Sequence, residues 1–244
     1  MLDCFAVLVY LFLVDLDKHK AVRVVPASST LATLKVELDS LVSSFKRIDW
    51  HSYGDIFSLK LVLAFCNAFY FSNFSLSLQE RFHLTPTTVG YLISFQSFVG
   101  AMSGILSSSV QSLYTKMYGG RDVTQTRVVH AFGLLAFALL ALWGSTSAMM
   151  LVVLVAPIGA SNAALRDLLT ALLFRRCPVS QRGSMVGSAQ SLSSMARMTA
   201  PLVAGVAVDS AGSAATVALA QMAATAGLVL SVKMAKQTPK RSTR

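Results

Sequence analysis

The sequence predicts an all-α membrane protein: a six-helix bundle, preceded by a partial helix and a cytosolic connector. Three observations predict it. The 244-residue chain is 54% hydrophobic and only 13% charged, and its mean hydropathy of +0.61 lies on the apolar side of soluble domains. Long apolar runs alternate with polar breaks, and the even alternation of a β-barrel is absent. The net charge of +10 is concentrated in the breaks, a distribution that topology explains better than nucleic-acid binding, so no nucleic-acid partner is expected.

Residues 1–14 read as the end of a transmembrane helix, too short to cross alone and without a basic leader or small-residue cleavage site. Residues 15–54 read as a cytosolic connector. Within it Leu31, Leu34, Leu38, Leu41, Val42 and Phe45 recur at three and four, the pattern of an amphipathic helix lying along the membrane. Trp50 and Tyr53 supply an interfacial aromatic anchor at its end.

The bundle occupies residues 55–232, with spans at about 55–78, 87–111, 128–143, 148–174, 184–208 and 213–232. The first carries Lys60, Asn67 and Asn73. Asn73-Phe74-Ser75 matches a glycosylation sequon, but inside a span it is out of the transferase's reach. Thr85-Pro86 reads as a cap and first-turn proline opening the second span. Gly100 and Gly104 give that span a small-residue packing face. Lys116 to Arg127 form a loop. The third and fourth spans make a helical hairpin, and Pro157 and Gly159 predict a kink in the fourth.

The fourth span also holds Asn162, Arg166 and Asp167, and the fifth, rich in small residues, holds Gln190 and Arg197. A mid-span arginine costs on the order of 3 kcal/mol on insertion scales, so Arg197 needs a partner or a cavity to face. A short break at Asp209 to Gly212 precedes the sixth span, and residues 233–244 read as a basic cytosolic tail. Counted by break, Lys and Arg number six in the connector, three in the loop before the third span, three around Arg175 and five in the tail, against Arg81 alone in the alternate breaks. The positive-inside rule therefore places both ends in the cytosol of an integral, multi-pass protein.

The order of these segments resembles the C-terminal half of a major facilitator superfamily transporter. Pro178-Val179-Ser180-Gln181-Arg182-Gly183 with Gly187 is similar to the family's loop before its eleventh helix, and Arg197 followed by Ala200-Pro201 and Gly205 is similar to drug-proton-antiporter-like members. Phe69-Tyr70-Phe71-Ser72-Asn73-Phe74, Glu80-Arg81-Phe82 and Gly90-Tyr91-Leu92-Ile93-Ser94 resemble the subfamily called major facilitator superfamily domain-containing protein nine, with organic-cation-transporter-like relatives a second match. Gly119-Gly120-Arg121-Asp122 is a faint echo of the signature loop of the family's other half.

The resemblance implies a partial chain, whether fragment, truncated isoform or misplaced start, whose partners are the lipid bilayer, a small-molecule solute and a missing N-terminal half. It further implies secondary transport of a small organic solute by alternating access, coupled to protons or another gradient. Asp167 is then a candidate protonatable or cation-binding carboxylate, and Arg197 a candidate anchor for an anionic group, about 10 Å apart in depth at 1.5 Å per residue. Asn67, Asn73, Gln96, Asn162 and Gln190 are candidates to line the path. The competing reading has Arg166 snorkelling, Asp167 in a network with Arg175 or Arg182, Arg197 on backbone carbonyls, and the amides bonding between helices. The competing function is a non-transporting membrane interaction protein.

No enzyme, cofactor or metal site is expected. Cys4, Cys66 and Cys177 have no ligand or disulfide spacing, Met185, Met195 and Met198 suit packing, and no base stands near the serine runs.

Overall fold

The computed structural model describes residues 50–72, 74–118, 123–145 and 147–241. The expected partial helix (1–14), most of the connector (15–54) with its amphipathic helix, and Asn73 lie outside the described residues. Within them the regular structure is helical: α1 (Trp50–Ser72), α2 (Phe74–Phe82), α3 (Pro86–Ile105), α4 (Ser107–Tyr118), α5 (Val123–Gly144), α6 (Ala148–Arg176), a 3₁₀ turn (Val179–Gln181), α7 (Arg182–Ala211) and α8 (Ala215–Arg241). Five of these stretches are long and apolar enough to cross a membrane, and α3 and α4, bent against each other, pass the same test only when taken together as one span. The chain is thus an all-α, multi-pass half-bundle.

Four helices form a closed ring, α1 on α8, α8 on α5, α5 on α6 and α6 back on α1. Its interior is apolar and close-packed, with Ile56, Phe57, Phe132, Leu135, Leu165 and Leu169 fully buried. Gly227 lets α8 approach α5, because a Cβ there would overlap the Phe132 ring. The remaining two long helices hang outside the ring: α3 on α6, and α7 on α1. Gly159 sets the first of these contacts, since a Cβ there would stand 2.8 Å from the Gln96 carbonyl oxygen.

Polar contacts fasten both ends of the bundle. At one end Arg176 Nη1 donates to both oxygens of Asp55, at 2.9 and 2.7 Å, tying the end of α6 to the start of α1. Arg175 donates to Thr124 Oγ1 on α5 at 3.0 Å, and Arg182 donates to the Phe174 carbonyl while lying over its ring. The basic loop is therefore also a clasp. At the opposite end Arg81 of α2 donates to the carbonyls of Trp143 and Ser145, both at 3.0 Å, where the end of α5 presents unpaired acceptors. Ser77 donates to the Ser213 carbonyl between α7 and α8.

Helix boundaries differ from expectation in three places. The span expected at 55–78 falls on α1 and the start of α2, with Asn73 between them outside the described residues. The span expected at 87–111 bends by 55° between α3 and α4; the serines at 107–109 have weak helix propensity, and Arg127 holds the Ser107 carbonyl and hydroxyl from α5. Arg127, expected in a loop, is buried within α5, which starts at Val123. The tail expected from 233 continues α8 to Arg241; Lys233 and Lys236 are good helix formers, and their charge suits a helix C-terminus.

Candidate functional site

The two helices outside the ring leave the α1–α6 pair exposed between them, and two adjoining cavities open there. The larger, about 500 Å³, lies among α1, α6 and α7. The smaller, about 450 Å³, lies among α1, α3 and α6. Asn67, Phe71 and Arg166 line both, so the two form one continuous concave face.

Each helix contributes a polar stripe at helical spacing. Lys60 and Asn67 are seven apart on α1, Asn162, Arg166 and Thr170 four apart on α6, and Gln190, Ser193 and Arg197 three and four apart on α7. Lys60 Nζ donates to Thr170 Oγ1 at 3.0 Å, and that hydroxyl donates to the Arg166 carbonyl at 2.8 Å. Three cations, Lys60, Arg166 and Arg197, thus face the larger cavity, and among the described residues its lining includes no carboxylate. The smaller cavity holds Asp167 and two buried amide oxygens, Gln96 Oε1 and Asn162 Oδ1, without hydrogen-bond partners among the described residues. Its chemistry suits hydrogen-bond donors or a cation, whereas the larger suits an anionic group.

Of the candidate residues, Asn67, Gln190 and Arg197 line the larger cavity, and Asn67, Gln96, Asn162 and Asp167 line the smaller. Asp167 and Arg197 face different cavities, with no ion pair between them among the described residues. Arg166 lines both cavities, Arg175 and Arg182 donate to Thr124 Oγ1 and the Phe174 carbonyl, and Asn67 bonds within its own helix, to the Leu63 carbonyl at 3.0 Å. Sequence reasoning passed over Lys60 and Arg166 as site residues. Their spacing from Asn67 and Asn162 was the available signal.

These features define a multi-pass α-helical membrane protein with a polar, charge-lined face on one side of a half-bundle. The sequence model of the Major Facilitator Superfamily matches residues 56–244, nearly the whole described region. The chain belongs to that superfamily. No curated protein matches it.

Proposed function

We propose that this chain is the C-terminal half of a secondary transporter that moves a small organic solute by alternating access, working against an N-terminal half of the same fold. Within the superfamily its motifs favour the domain-containing protein nine subfamily. The observation that carries the reading is the continuous face shared by the two cavities: it gathers polar stripes from α1, α6 and α7 and a carboxylate from α6 where a second half would close over them. Arg197, with Lys60 and Arg166, holds an anionic group of the solute. Asp167 takes up the coupling proton or cation, with the Gln96 and Asn162 oxygens beside it. Both ends of the chain face the cytosol, as the Lys and Arg asymmetry favours.

Gradient-driven uptake into proteoliposomes holding this chain with a co-expressed N-terminal half tests the reading. Arg197→Ala is expected to lower uptake by about tenfold through loss of a charge-assisted contact. Asp167→Asn is expected to remove the dependence on the imposed gradient while exchange persists. Unchanged gradient-driven uptake in both variants removes these roles, and association with unrelated membrane proteins without flux favours the interaction protein instead.

A further inference from the structure

A third cavity, about 360 Å³, lies on the other side of the α3–α6 pair, in the crook made by the bend into α4 and closed by α5. It shares no lining residue with the two cavities of the candidate transport face. Arg127, only 6% exposed, lines it, and its guanidinium donates to Gln111 Oε1 at 2.6 Å and to the Ser107 hydroxyl and carbonyl at 3.2 and 3.4 Å. Those three bonds leave at least two of the five guanidinium N–H donors without a partner among the described residues. Beside it His130 Nδ1 and the Tyr114 hydroxyl are 3.2 Å apart, with Tyr118 stacked on Tyr114. The Ser161 hydroxyl, 2% exposed, lines the deeper part of the cavity and has no hydrogen-bond partner among the described residues.

A buried cation with spare donors and an adjacent imidazole are complementary to a phosphoryl group. The remaining lining indicates how that group is carried. Val110 and Leu134 line the cavity as exposed apolar side chains, and Leu113, Met117 and Phe137 extend the exposed apolar surface of α4 and α5. Depth fits as well: the contact of Arg175 with Thr124 sets the start of α5 level with the end of α6, and Arg127 lies three residues, about 5 Å, further in. That is the level of a lipid headgroup and glycerol backbone rather than of the bilayer centre.

We propose that this cavity binds the phosphate of an anionic phospholipid, held by Arg127 and His130 with its acyl chains over Val110 and Leu134. Binding seats the α3–α4 bend against α5 at the headgroup level, independently of what the other face transports.

Native mass spectrometry of the full chain, purified from nanodiscs containing equal dioleoylphosphatidylglycerol and dioleoylphosphatidylcholine, tests this. One phosphatidylglycerol is expected to be retained per chain, and Arg127→Gln is expected to reduce that retention about fivefold. Because Arg127 also braces α4, Ser161→Leu is the second variant: it fills the cavity from α6 without touching the brace, and is expected to reduce retention to a similar extent. Inorganic phosphate at millimolar concentration is not expected to displace the lipid. Equal retention of both lipids, retention unchanged in Ser161→Leu, or displacement by inorganic phosphate each overturns the proposal, the last by assigning the site to free phosphate.

Discussion

α6 and α7 are nearly equal in length, 29 and 30 residues, and each carries an internal proline. Their surroundings are opposite. Half of the most apolar window of α6 is buried, against 17% for α7. The buried side chains of α6 are mainly leucines spread over several faces, because it touches α1, α3 and α5 at once. Those of α7 form a narrow stripe that includes Ala189, Ala196, Ala200 and Ala204, by which it rests chiefly on α1. Within a bilayer no hydrophobic force presses helices together, so close approach of small residues is what holds α7 in place. Pro201, moreover, has no N–H to give the Arg197 carbonyl four residues before it. The difference separates a helix packed on three neighbours from one packed chiefly on one: the cavity-bearing face has α6 as its more buried side and α7 as its less buried side.

Substitutions on the two helices test that contrast, in decreasing order of effect. Leu169→Ala, in the fully buried part of α6, is expected to lower stability by about 3 kcal/mol in detergent unfolding, since the lost packing cannot be refilled from several sides. An effect as small as that of a surface change contradicts the anchoring role. Ala200→Leu, on the buried stripe of α7, is expected to cost about 1–2 kcal/mol and to weaken disulfide cross-linking between cysteines introduced on α1 and α7. Undiminished cross-linking places the stripe elsewhere than at the α1 contact. Leu202→Ala, two residues along but 73% exposed, is expected to stay within about 0.5 kcal/mol of the wild type. A larger loss reveals a partner covering that side of α7.

What the sequence made legible follows the range of the forces involved. Apolar runs and local caps act over a few residues. The cap at Thr85, whose hydroxyl accepts from the Thr88 N–H, and the Pro86 start could therefore be read directly. So could the break at Gly212, whose φ of +79° ends α7. Features decided by distant partners could not. The bend at Leu106 has no proline to announce it and depends on Arg127, twenty residues beyond Ser107. The same contact takes Arg127 out of the loop class, where its charge alone had placed it. The candidate site divides in the same way: charged and amide residues inside spans stood out, but their assignment to two cavities, and the inclusion of Lys60 and Arg166, required the rotation of each helix against its neighbours.

The short helix α2 has a consequence for how the protein is made. Arg81 closes on carbonyls at residues 143 and 145, and Ser77 on the carbonyl at residue 213. A chain emerging from the ribosome in order has α2 long before it has either acceptor. The first latch waits for the turn after α5 and the second for the turn after α7, so this end of the bundle acquires its contacts in two stages, one before and one after Arg176 can meet Asp55 at the other end.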